Sequence, residues 1–196
     1  MSAPAIAILC SGQGTNFQAI LDSIRRRQLR ARVAAMITDN PSAFAIVRAR
    51  KAKVPSIFIS PAAYSSREAF DRALARVIEK SGARLVVLAG FMRILSPWFV
   101  RRFRGRILNV HPSLLPAFPG AHAVRDALKA GVKVTGVTIH FVDEQVDHGP
   151  ALVQETVPVR KGDTEKSLLA RVHRVEHRLY PQAIQKVLNN RKAKRK

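Results

Sequence analysis

Ala5-Ile6-Ala7-Ile8-Leu9-Cys10-Ser11-Gly12-Gln13-Gly14-Thr15-Asn16-Phe17 is the stretch on which the fold turns. Its first six residues are apolar without a break and too few for a helix, the pattern of a parallel strand buried on both faces. Ser11 to Asn16 supply turn residues, and Phe17, Ile20, Leu21 and Ile24 then recur at helical spacing. Arg25-Arg26-Arg27 closes that helix where cations suit its dipole. Glycines in such a strand-to-helix loop let an anion approach the backbone, and the free N–H groups of a helix start favour phosphate. A dinucleotide fingerprint needs a third glycine where Phe17 stands, so the loop fits one phosphate rather than a pyrophosphate. The same string also reads as a tight turn with Asn16 as the helix cap.

Outward from this unit the alternation continues. Strands are expected at Val33 to Thr38, Val54 to Ile59 and Arg84 to Ala89, with helices over roughly 42–52 and from Ser66 onward, where Phe70, Leu74, Val77 and Ile78 form an apolar stripe. Four strand-helix alternations with short links predict an α/β protein: an open, mostly parallel twisted sheet flanked by helices on both faces, with a Rossmann-like N-terminal half. Ligands in such sheets sit beyond the carboxyl ends of the strands, which directs attention to the loops after Cys10, Ala89 and Val110. Further strands are expected at Ile107 to Val110, Val134 to Val142 and Ala151 to Val157, and a long helix at Thr164 to Leu188 that Thr164 can cap. One domain over 1–188 is expected, with a phosphate-binding half over 1–105 and a catalytic half over 106–188. Residues 189–196 read as a disordered basic tail.

Composition bounds the function. Lys and Arg number 34 against 13 Asp and Glu, a net charge of +21, so anionic partners are favoured: nucleic acid, acidic membrane or a phosphorylated metabolite. The single Cys10 excludes an internal disulfide framework and fits a cytoplasmic protein. No run approaches the roughly 18 to 20 apolar residues that span a bilayer, and no basic segment precedes the first apolar run as in a signal peptide. A nucleic-acid-binding module draws on the basic clusters Arg25 to Arg32 and Arg101 to Arg106, but aromatic residues are only 6%, which leaves few platforms for base stacking.

Three further segments carry chemistry. In Asn109-Val110-His111-Pro112-Ser113-Leu114-Leu115-Pro116, Asn109 and His111 project from one face at a strand end. A carboxamide and an imidazole so placed suit polarising a carbonyl, steadying its oxyanion and moving a proton. His140 to Pro150 is the most acidic stretch of the chain. Its carboxylates could take a divalent cation without matching an EF-hand, or orient an imidazole, and Asp147 is the residue chosen for that second role. His173-Arg174-Val175-Glu176-His177 has the spacing of an inverted zinc-peptidase helix, yet no third ligand follows, so ordinary helix histidines are the preferred reading. The prolines and glycine of the segment from Pro112 to His122 make a mobile lid a working expectation.

Taken together the chain resembles the phosphoribosylglycinamide formyltransferases. The matching strings are Ser11 to Asn16, Ser66-Arg67-Glu68, Ala89 to Ser96, the octet from Asn109, Phe118-Pro119-Gly120, His140 to Pro150, Glu176-His177 and Tyr180-Pro181. The resemblance implies transfer of the formyl group of 10-formyltetrahydrofolate to the amine of glycinamide ribonucleotide in purine synthesis, with no metal. It implies Asn109, His111 and Asp147 as the catalytic trio: Asn109 and protonated His111 on the oxyanion of a tetrahedral intermediate, Asp147 keeping His111 charged and helping to move protons. Gly14, Thr15 and Asn16 would take the phosphate, with Glu176 and His173 on the sugar and glycinamide side. The folate would meet Arg67, Met92, Arg93, Ile94, Leu95, Asn109 and the loop Asp143, Glu144, Gln145, Val146 and Asp147. Both substrates are small, no membrane is involved, and a homodimer is compatible with the reading. Thr15 stands where serine is commoner in these enzymes, His173 where glutamine is frequent, and Ala123-Val124 where a more polar pair follows the histidine. Related methionyl-tRNA formyltransferases carry a further C-terminal domain and formyltetrahydrofolate hydrolases an N-terminal one. Neither is expected in a chain whose first strand starts at Ala5 and which stops at Lys196.

Overall fold

In a computed structural model, which describes residues 3–193, seven strands and six α-helices alternate: β1 (Ala5–Leu9), α1 (Thr15–Arg25), β2 (Arg32–Thr38), α2 (Phe44–Lys51), β3 (Ser56–Phe58), α3 (Arg67–Lys80), β4 (Leu85–Leu88), α4 (Pro97–Arg102), β5 (Ile107–His111), α5 (Ala123–Lys129), β6 (Val134–Phe141), β7 (Ala151–Pro158) and α6 (Glu165–Ala193). The strands form one sheet in the order β3-β2-β1-β4-β5-β6-β7. The first five are parallel, while β6 runs antiparallel to β5 and β7 antiparallel to β6. The chain leaves β1 toward β2 and β3, then returns on the other side at β4. That reversal opens a crevice at the carboxyl ends of β1 and β4.

Side chains on β1 alternate between two core layers. Ile6 and Ile8 share one with Phe17 and Ile20 of α1 and Leu168, Val172 and Tyr180 of α6; Ala7 and Leu9 share the other with Phe70 and Leu74 of α3, Phe99 of α4 and Phe103 just after it. All five β1 residues are buried, which is why the segment reads as an unbroken apolar run. Burying each such Ile or Leu contributes on the order of 2 kcal/mol.

The expected open parallel sheet with helices on both faces is the one observed, with local differences. Helices α4 and α5 were not anticipated. The first is marked by Ser96, whose Oγ accepts from Phe99 N at 3.3 Å, and by Pro97 at its first position. The second starts at His122 with no side-chain cap, so its start carries no local signal. The expected strand at Val54 to Ile59 shrinks to the three residues of β3 at the sheet edge. Helix α6 continues to Ala193, so residues 189–193 extend a helix rather than begin a tail. No glycine or proline stops it at Leu188, and the basic residues that follow suit a helix C-terminus. The rest of the expected tail, 194–196, lies outside the described residues.

Candidate active site at the strand ends

The loop between β1 and α1 is shaped by Gly14, which caps α1 in the left-handed region at φ 67°. A Cβ there would stand 2.9 Å from Ala45 Cβ, so the position excludes any side chain. Asn16 therefore does not cap the helix. It reaches across to α6, where its Nδ2 donates to Glu176 Oε2 at 2.8 Å. Thr15 and Asn16 contribute backbone N–H groups from the first turn of α1, which lack intrahelical partners. Glu176 is 3% exposed. Burial raises its pKa above the ordinary carboxyl value, opposed by the Asn16 hydrogen bond and by the nearby His173 and His111. His173 Nε2 lies 3.9 Å from the same carboxylate, and its ring stacks on His177 at 5.8 Å. Among the described residues no group of three His, Cys, Asp or Glu side chains could hold a metal ion.

The three residues chosen for chemistry converge. Asp147 sits at φ 53° and aims its carboxylate inward. Oδ2 accepts from Gly120 N at 2.8 Å and faces His111 Nδ1 at 3.3 Å, while Oδ1 faces Asn109 Nδ2 at 3.4 Å. His111 is buried, and its Nε2 lies 2.8 Å from the carbonyl of Phe118. Both ring nitrogens thus face acceptors, and only an imidazolium satisfies the two together. Asn109 Nδ2 also meets Nε2 of His140 at 3.2 Å. Nδ1 of His140 faces the Phe141 carbonyl and so carries its proton, which leaves Nε2 as an acceptor. Burial, the largest influence, lowers the pKa of His140 and keeps it neutral in that role.

Sequence reading missed His140, Phe118 and Gly120. His140 pairs with Asn109 across β5 and β6, a register fixed only when the hairpin forms. The start of the Pro112 to His122 segment is tied to the sheet: Leu115 N donates to Thr138 Oγ1 at 3.0 Å, Thr138 Oγ1 donates to Ser113 O at 2.7 Å, and Gln154 Nε2 donates to Leu115 O at 2.8 Å. Left-handed residues fall in its second part, Phe118 at 53° and Gly120 at 89°.

A cavity of about 280 Å³ opens beside the trio. Met92, Arg93, Ile94 and Leu95 line it from the loop after β4, and Asp143, Glu144, Gln145, Val146 and Asp147 from the loop after β6. The first loop is held by Ser11, whose Oγ accepts from Met92 N at 2.9 Å and whose N–H donates to Gly90 O. Met92, Ile94 and Val146 are 73%, 60% and 53% exposed and give it an apolar mouth. Arg93 lies over the Phe70 ring at 5.0 Å. Arg67, the remaining residue assigned to the folate, is exposed at the start of α3 and does not line the cavity.

Fold and site together define a group-transfer enzyme on an open α/β sheet. The chain belongs to the formyl transferase family, whose model matches residues 5–184. It is 45% identical over 91% of its length to the phosphoribosylglycinamide formyltransferase of Escherichia coli, covering 84% of that protein. It is 44% identical over 94% of its length to the trifunctional purine biosynthetic protein adenosine-3 of Drosophila melanogaster, of which it spans only 14%. The crystal structure of glycinamide ribonucleotide transformylase 1 from Symbiobacterium toebii superposes with a TM-score of 0.92 at 50% identity, over 93% of this chain and 86% of that one. Among the described residues no helix is long and apolar enough to cross a membrane.

Proposed function

We propose that the protein transfers the formyl group of 10-formyltetrahydrofolate to the amine of phosphoribosylglycinamide, a step of purine synthesis in the cytoplasm. The observation that carries the reading is the Asp147 carboxylate, which gathers Asn109, His111 and the Gly120 N–H at the wall of the cavity, with His111 near enough to the buried Glu176 for their charges to interact. The relatives named for this activity support it.

The cavity suits a folate head: the loops after β4 and β6 both line it, and Met92, Ile94 and Val146 supply exposed apolar surface for a flat ring system. The first turn of α1 takes the acceptor's phosphate, while Glu176 and His173 face its sugar and amide. As the amine adds to the formyl carbon, negative charge grows on the formyl oxygen. A ring N–H of His111 donates to it in place of the Phe118 carbonyl, and one N–H of Asn109 Nδ2 donates to it in place of the longer contact with Asp147 Oδ1. Asp147 keeps the imidazole doubly protonated and accepts the proton released by the amine, so that it can be returned to the departing folate nitrogen. Arg67, exposed at the start of α3 and outside the cavity lining, is proposed to meet the acidic tail of the folate. The proposed partners are these two small anions, and no metal enters the scheme. Self-association into a homodimer is a separate expectation that sedimentation of the purified chain tests.

Purified protein supplied with 10-formyltetrahydrofolate tests the proposal. Tetrahydrofolate release is expected only when phosphoribosylglycinamide is present, with the formylated ribonucleotide appearing in equal amount by mass spectrometry. Release without an acceptor, or only with methionyl-tRNA, would assign the site to hydrolysis or to tRNA formylation instead.

A further inference from the structure

Helices α1 and α6 share a core through Phe17, Ile20 and Val172. Along one edge they separate into a groove of about 980 Å³ whose walls are polar and basic. On α6 the lining residues Arg174, His177 and Arg178 recur at helical spacing, and along α1 the stripe runs from Thr15 to Arg26 at its C-cap, a span of about 16 Å. Packed helices ordinarily meet on apolar side chains, so guanidinium groups on both walls need another account.

The groove does not neutralise itself. Its one acid, Asp22, already pairs with Arg25, which is not a lining residue, at 3.2 Å. Arg178 pairs with Glu155. Among the described residues no carboxylate pairs with Arg26, Arg48 or Arg174. Arg48 is nevertheless held in place, its Nε donating to Gln13 O at 2.8 Å and its Nη1 to Gln18 Oε1 at 3.0 Å. At the floor, His177 Nε2 is out of contact with solvent and has no hydrogen-bond partner. Fixed guanidinium groups, an unpartnered ring nitrogen and an open groove longer than one phosphate are the complement of an elongated anion.

We propose that this groove binds a small polyphosphate, either the phosphate chain of a nucleoside triphosphate or an inorganic one, as a site separate from the Gly14 to Asn16 loop. Its shared end at Thr15 gives it a consequence that rests on the proposed function. An occupant sets a second anion beside the acceptor's phosphate, raising the KM for the ribonucleotide and leaving kcat unchanged.

Titration calorimetry of the full-length protein at low salt with tripolyphosphate, ATP and inorganic phosphate tests the site without any turnover. Tripolyphosphate and ATP are expected to bind at one site per chain, and inorganic phosphate at least tenfold more weakly. Both side chains in the double variant Arg26→Gln, Arg174→Gln are exposed, so it is expected to melt like the parent, to retain kcat and to bind both polyphosphates at least tenfold more weakly. Asn16→Ala is expected to leave their binding unchanged. ATP binding more tightly than tripolyphosphate identifies the source as a nucleotide, and equal binding identifies the phosphate chain alone. Absence of binding, equal affinity in the double variant, loss of binding in Asn16→Ala alone, or displacement of neither ligand by the other would overturn the proposal. So would a single-stranded oligonucleotide that binds more tightly than both, which would make the groove part of a nucleic-acid surface.

Discussion

Replacing Asp147 by Asn changes charge and almost nothing else. Asparagine tolerates the left-handed backbone at φ 53° as aspartate does, and its carbonyl can still accept from Gly120 N at 2.8 Å. What is lost is the anion 3.3 Å from His111 Nδ1, with the two side chains only 5% and 10% exposed. At an effective dielectric near 20, a unit pair at that distance interacts by about 5 kcal/mol. With the carbonyl kept on Gly120 and His111, the new amide N–H group takes the Oδ1 position and meets the Asn109 Nδ2 donor at 3.4 Å, an added repulsion. If roughly 3 to 5 kcal/mol of this is felt in the transition state, kcat falls about 10²- to 10⁴-fold. The assay is steady-state formyl transfer with both substrates varied, beside thermal melting to confirm the fold. A folded Asp147→Asn enzyme with kcat within about tenfold of the parent would refute the role given to this carboxylate.

Three other perturbations follow from the same geometry. Gly14→Ala sets a Cβ against Ala45 in a left-handed turn and is expected to cost about 1–3 kcal/mol in thermal melts and to raise the KM for the ribonucleotide, whereas Gly12→Ala, with nothing within 4 Å, leaves stability within about 0.5 kcal/mol. Glu176 has a folded pKa above its unfolded one, so the folded state holds more protons between those values and stability falls as pH rises through that window. Glu176→Gln is accordingly expected to melt about 2–4 °C above the parent near pH 8, with the gain vanishing below the ordinary carboxyl pKa, while its ribonucleotide KM rises. Tyr180→Phe removes a buried hydroxyl that faces the carbonyls of Leu88 and Leu108 at 3.0 and 2.9 Å, and is expected to lower stability by about 1–3 kcal/mol in denaturant titration.

What the sequence disclosed and what it withheld divide along physical lines. β1 was legible because its two-sided burial leaves five apolar residues in a row, and α3 because Ser66 caps it, its Oγ accepting from Ala69 N at 3.1 Å. Asn109 and His111 were legible because period-two geometry sets them on one face within a single strand. The Asn16–Glu176 bond joins residues 160 apart, so its members could be chosen through resemblance but their contact could not be read locally. His140 was overlooked as a partner because its place beside Asn109 depends on the β5–β6 register. The basic groove depends on which stripe of α1 faces which stripe of α6, which neither helix states alone. The net charge, at first a pointer to nucleic acid, is partly concentrated there, on Arg26, Arg48, Arg174 and Arg178.

The most direct measurement is turnover of the parent and His111→Ala proteins side by side with 10-formyltetrahydrofolate and phosphoribosylglycinamide, with melting curves for both. One formylated ribonucleotide per tetrahydrofolate released is expected from the parent and, in a folded His111→Ala protein, a rate at least about 10²-fold lower. A folded variant that transfers formyl groups as fast as the parent, or a parent with no transfer at all, would contradict the proposed function.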